Sequence, residues 1–166
     1  LVLVATAKPW RVERALEELG DALYPHDSGV RVISDERYPL LYVYSFIEPW
    51  RAFRLVVSEP PAYVERIVPA EYLLGADWLE RLMHEARRRG LGTVWVEVKP
   101  RGYFVEGDEK HVLRHVAGVL RKGGLAVSRR ASVWIKVEDT VEGVMAAFMG
   151  AKEDRVEFWR RRRLRV

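Results

Sequence analysis

Apolar and polar positions recur along this chain with two periods, and the order of those periods predicts the elements. Residues 2–5 form an apolar run suited to a buried strand. Val12, Ala15, Leu16 and Leu19 then recur at helical spacing, and Gly20 stands where that helix is expected to end. Residues 30–34 and 40–47 are rich in β-branched and aromatic side chains and flank the polar turn Asp35-Glu36-Arg37, so they read as a hairpin. Pro49 suits the first turn of a second helix that turns Ala52, Phe53 and Val56 inward, and Pro60-Pro61 stops it. Residues 63–74 read as one further strand, interrupted or bent at Pro69. The order β-α-β-β-α-β is that of a ferredoxin-like domain.

The rhythm changes near Gly75-Ala76. Asp77 is expected to cap a helix that carries Trp78, Leu79, Leu82, Met83 and Ala86 inward and ends at Gly90. Residues 93–99 alternate strictly, with Val94, Val96 and Val98 on one face and Trp95, Glu97 and Lys99 on the other. Pro100-Arg101-Gly102 breaks that strand. Asp108 is placed to cap the next helix, whose core stripe is Val112, Leu113, Val116 and Leu120, with Gly123-Gly124 at its end. Residues 132–138 alternate again, Val133, Ile135 and Val137 against Trp134 and Lys136. Asp139-Thr140 is read as a turn into a last apolar strand over 141–149. There is no internal repeat. The expected fold class is α+β, with a ferredoxin-like domain over 1–75, a second α/β domain over 76–154 and a tail over 155–166. Val156 and Phe158, then Leu164 and Val166, alternate in that tail as an added strand would.

Composition narrows the class. The chain has 166 residues, 49% hydrophobic and 31% charged, enough for a packed core and too apolar for a disordered chain. No apolar run approaches the roughly 18 to 20 residues of a membrane helix. No charged start followed by an apolar block and a small-residue cleavage site is seen, so a cytoplasmic location is expected. The chain begins at Leu1 rather than at a methionine, as a processed or trimmed start would. Cysteine is absent, which excludes disulfides, thiolate metal sites and a thiol nucleophile. Asn and Gln are absent too, and Arg outnumbers Lys by 22 to 6, a pattern expected of a thermophilic source.

Charge is uneven. Residues 1–75 hold 8 basic and 11 acidic side chains, a net of −3; residues 76–154 hold 14 and 12, a net of +2. Residues 155–166 hold 6 and 1, a net of +5, so a polyanion is expected to meet the back of the molecule. RNA binding needs cations for phosphates and flat side chains for bases. Lys99 and Arg101 flank a strand end beside Tyr103 and Phe104. Arg129 and Arg130 precede a strand that carries Trp134 and Lys136 on one face. Arg160, Arg161, Arg162 and Arg163 form a run whose planar guanidinium groups suit phosphate. The plainer reading is that the Trp residues pack under a helix and the cations keep the rim solvated.

Signs of catalysis are scarce. His111 and His115 stand i, i+4 on one helix without a third ligand, so no metal is expected. No serine sits in a Gly-x-Ser-x-Gly setting, and no Gly-rich loop precedes a helix to cradle phosphate, so no cofactor is expected either.

The segments TVWVEVKPRG from Thr93, GDEKHVLRHVAGVLRKG from Gly107 and SVWIKVE from Ser132 resemble the THUMP domain of RNA-modification proteins. In front of them, LVATAKPWRVERALEELG and RIVPAEYLL resemble the ferredoxin-like domain that precedes THUMP. The family pattern differs here at Gly107-Asp108 and at residues 128–131. The resemblance is nearest to the stand-alone THUMP proteins that assist a tRNA cytidine acetyltransferase. It implies tRNA as partner, an acetyltransferase as a second partner, and no chemistry in the chain itself. Two other readings stay open: a structural or oligomerising α+β protein, and a small enzyme whose site is not recognised.

Overall fold

The computed structural model describes residues 1–163. The chain divides into two compact units, one made of Leu1–Glu71 with the segment from Lys152 onward, the other of Tyr72–Ala151. The boundary therefore falls a few residues ahead of the expected one, and the C-terminal segment belongs to the first unit. Among the described residues no helix is long and apolar enough to cross a membrane.

Unit 1 holds β1 (Leu3–Ala7), α1 (Val12–Leu23), β2 (Arg31–Ser34), β3 (Leu40–Tyr44), α2 (Pro49–Ser58) and β4 (Val64–Pro69). The strands pair antiparallel in the order β2-β3-β1-β4, the ferredoxin-like arrangement. Helix α1 runs through Gly20 to Leu23, because Leu19 and Leu23 are both fully buried and their packing outweighs one glycine. Helix α2 starts as expected: the Glu48 carboxylate accepts from the Trp50 and Arg51 N–H groups at 2.9 and 2.8 Å, and Pro49 needs no partner there. Asp35 organises the hairpin turn, accepting from the Arg37 and Tyr38 N–H groups at 2.8 and 3.0 Å.

Unit 2 holds β5 (Tyr72–Leu74), α3 (Trp78–Arg88), β6 (Thr93–Lys99), α4 (Glu109–Lys122), β7 (Ala126–Val127), β8 (Trp134–Thr140) and β9 (Gly143–Met149). The order is β5-β9-β8-β6-β7, with β6 parallel to β7 and β8 and the other pairs antiparallel. Of the two alternatives for 63–74, the interruption at Pro69 is the one found: β4 ends there, and β5 belongs to a different sheet. Val94, Val96, Val98, Ile135 and Val137 form one core with Leu82 and Ala86 of α3 and Val116 and Leu120 of α4. Asp77 caps α3 by position only and pairs with Arg81 at 2.7 Å, whereas the Asp108 carboxylate accepts from the His111 N–H at 3.0 Å. The last hairpin turns at Val141-Glu142 rather than at Asp139-Thr140, with Thr140 paired to Gly143. Gly143 has φ +140, and a Cβ there would lie 2.8 Å from the Leu74 carbonyl oxygen, so the turn requires glycine.

The C-terminal segment forms helix α5 (Val156–Arg163), not the added strand expected from its alternation; Leu164 and Val166 lie outside the described residues. Its docking on unit 1 explains the helix. Val156 is buried, the Trp159 ring meets Phe53 edge-on at 5.9 Å, and Asp154 pairs with Arg66 at 2.7 Å. The Ile67 N–H donates to the Asp154 carbonyl at 2.8 Å, tying the segment to β4.

Candidate nucleic-acid interface

Strands β6, β7 and β8 run parallel, so their starts share one end of unit 2. The last turns of α3 and α4 lie at that end as well, because each helix leads directly into β6 or β7. Arg129 and Arg130 sit there, in the loop that crosses from β7 to β8, and both are exposed. The Arg129 guanidinium lies over the Trp95 ring at 5.1 Å, and Trp95 meets Trp134 at 5.8 Å between ring centres. The register that sets Trp95 against Trp134 puts both rings on the sheet face opposite the helices, half-buried. The expected packing of these rings under a helix is therefore not what holds them.

Further cations crowd the same end. Arg87, Arg88 and Arg89 close α3, and Arg121 and Lys122 close α4. Cations at helix C-termini offset the helix dipole, which accounts for part of this crowding. Glu85 engages two of them, accepting from Arg88 at 2.7 Å and from Arg89 at 2.8 Å. The Arg88 hydrogen bond, with Arg89 and Tyr72 behind it, holds the Glu85 carboxyl down at about 2. Arg87 donates to the Gly123 carbonyl. Among the described residues Arg121, Lys122, Arg129 and Arg130 make no ion pair.

Lys99 and Arg101 lie at the other end of β6, which puts Lys99 about 20 Å from Thr93 at about 3.3 Å per residue. Lys99 pairs with Glu109 at 3.0 Å and is 4.0 Å from Glu97. Arg101 is engaged internally: its guanidinium reaches Glu138 at 2.7 Å and the Lys99 carbonyl at 3.2 Å. The fully buried Asp139 accepts from the N–H groups of Arg101, Tyr103 and Phe104 at 2.9, 3.0 and 2.8 Å. These bonds fix the loop after β6 and assign Arg101 to structure rather than to phosphate. Lys136 is likewise internal, with 0% exposure and its ammonium 2.8 Å from Glu97. A buried ammonium cannot reach a phosphate, so the expectation for Lys136 is corrected.

The tail arginines stand on unit 1. Arg160 donates to the Pro61 carbonyl, and Arg161 pairs with Glu157 at 2.9 Å. Arg162 lies over Phe158 at 5.1 Å, and Arg163 is exposed, 3.9 Å from Glu59. Of the cations singled out in the sequence, Arg129 and Arg130 thus stand near the start of β6, Lys99 and Arg101 near its end, and the tail arginines on α5 of unit 1. Composition alone hid Arg87, Arg121 and Lys122, whose closeness depends on two helices ending side by side.

No family model matches the chain, and no curated protein matches it. Solved structures do. A 4-thiouridine synthetase–RNA complex with bound ATP is similar over 90% of this chain and 41% of its own, with 13% identity and a TM-score of 0.50. TrmN from Thermus thermophilus is similar over 89% and 44%, with 24% identity and a TM-score of 0.56. PH1313 from Pyrococcus horikoshii Ot3 is similar over 90% and 54%, with 13% identity and a TM-score of 0.63. The chain therefore spans about half the length of these proteins. What they share with it is the fold, a ferredoxin-like unit followed by a THUMP-like unit.

Proposed function

We propose that the chain is a non-catalytic tRNA-binding adaptor that presents tRNA to a separate modification enzyme, a tRNA cytidine acetyltransferase. The carrying observation is Arg129 stacked over Trp95, at the end of unit 2 that also holds Arg130 and the last turn of α4 with Arg121 and Lys122. Cations without carboxylate partners supply sequence-independent affinity for phosphates, and a flat ring covered by a guanidinium is a surface that a base can share. One similar structure was solved with RNA, which supports RNA as the ligand class. The acetyltransferase comes from the resemblance of the segments at Thr93, Gly107 and Ser132. A cytoplasmic place goes with this reading, since its tRNA and its enzyme partner are met there.

Two steps test it. Purified protein is mixed with tRNA and an acetyl donor, and then with a tRNA cytidine acetyltransferase added. Acetylcytidine is expected only in the second mixture, at a rate that rises with the amount of this protein. Modification by the chain alone, or an acetyltransferase indifferent to it, contradicts the adaptor reading.

A further inference from the structure

Trp10 is 96% exposed and is the one non-glycine residue with positive φ, +62, among the described residues. It stands third in a turn closed by the Arg11 N–H donating to the Lys8 carbonyl at 3.1 Å, with Pro9 second. That is the pattern of a type II turn, whose third position calls for glycine. A bulky ring there strains the backbone, and at this exposure it gains almost no burial in return. Folding does not account for a tryptophan at this position, so its use lies outside the fold.

Its surroundings indicate the ligand. The Lys8 N–H donates to the Tyr63 carbonyl at 2.8 Å, and the Arg11 guanidinium lies over the Tyr63 ring at 5.7 Å. On the other side of β1 the Ala7 N–H bonds to Pro39 at 2.8 Å, bringing in Tyr38 with Arg37 over its ring at 5.3 Å. Helix α5 adjoins this end, where Arg160 donates to the Pro61 carbonyl two residues before Tyr63. Arg161, and more weakly Arg160 and Lys8, keep the Glu157 carboxyl below its usual range. Glu157 borders a cleft of about 430 Å³ lined by Lys152, Arg155, Phe158, Arg161 and Arg162. Of these cations, only Arg161 is matched by a carboxylate among the described residues.

We propose that this end of unit 1 is a platform for single-stranded RNA, on which Trp10 stacks against an unpaired base while Lys8, Arg11, Arg155 and Arg162 take the flanking phosphates. The choice of RNA over a protein partner rests on the function proposed above. An exposed ring beside cations with few matching carboxylates fits a polyanion with flat bases.

The test uses the full chain, the variants Trp10→Gly and Trp10→Phe, a single-stranded RNA octamer and whole tRNA. The Trp10 emission is taken as the difference between the parent and Trp10→Phe. The octamer is expected to quench it. Trp10→Gly is expected to weaken octamer binding by about 5- to 100-fold, and Trp10→Phe by less. The urea midpoint of Trp10→Gly is expected to stay or rise, since glycine relieves the turn. Absence of quenching, or equal octamer affinity in Trp10→Gly, overturns the platform. Equal RNA affinity combined with lost binding to the acetyltransferase overturns it in favour of a protein-docking role. tRNA binding with no Trp10 effect removes the platform and leaves the adaptor reading standing. Octamer quenching without tRNA binding does the reverse.

Discussion

A lysine that grips phosphate and a lysine that holds a core respond oppositely to Lys136→Met. The Lys136 ammonium lies 2.8 Å from Glu97, 3.1 Å from the Ala151 carbonyl and 4.6 Å from the centre of the Trp134 ring. Methionine keeps the stem and removes the charge, taking away one partner of a carboxylate that is only 16% exposed. Breaking one side of a buried pair costs about 3–5 kcal/mol. Lys99, 4.0 Å from Glu97, softens that loss, so about 2–4 kcal/mol is expected. At a urea slope of roughly 2 kcal/mol per molar, the midpoint falls by about 1–2 M. Removing both charges in Glu97→Leu/Lys136→Met is expected to recover most of the loss, since an apolar pair of similar volume often replaces a buried ion pair without cost. The slope of log tRNA affinity against log salt is expected to stay unchanged in Lys136→Met. A phosphate contact gives the contrary pair of results: near-parent stability, and a salt slope smaller by about 0.7–0.9. That outcome refutes the internal role assigned to Lys136.

Two other expectations test the architecture. Asp154→Ala strands Arg66, whose side chain is 15% exposed, and is expected to destabilise unit 1 by about 3 kcal/mol, with faster hydrogen exchange along β4; unchanged exchange there contradicts the docking of the C-terminal segment. Glu85, held at about 2 against its usual 4.5, contributes stability that is complete above pH 4.5 and is lost as pH falls through 2. Relative to Glu85→Gln, the parent is expected to lose on the order of 1–2 kcal/mol between those pH values and nothing between pH 6 and 8, as followed by urea unfolding.

Much of the fold was legible because periodicity records burial directly. The alternation at Val94, Val96 and Val98, and again at Ile135 and Val137, gave β6 and β8 and their inward faces. Elements went astray where a tertiary contact outweighed a local signal. Gly20 did not end α1, because Leu23 had a core to enter. Asp139 resembled a turn residue, yet its carboxylate serves a loop more than thirty residues earlier in the chain. The tail alternated like a strand but found Phe53 and Arg66 to pack on as a helix. The candidate site was legible as a list of cations and not as a surface. Sequence pattern places Arg129 and Arg130 near Trp134, but it cannot separate them from Lys136 and Arg101, whose charges turn inward to Glu97 and Glu138.

The central claim is that the end of unit 2 bearing Arg129 and Arg130 binds tRNA through its phosphates. A titration of tRNA at several salt concentrations, with the parent and with Arg129→Ala/Arg130→Ala, tests it most directly. Affinity is expected to fall linearly in log–log form with salt. In the variant, binding should weaken and the slope should drop by about 1.4–1.8 for two lost contacts. No tRNA binding by the parent at low salt, or an identical slope in the variant, contradicts the claim.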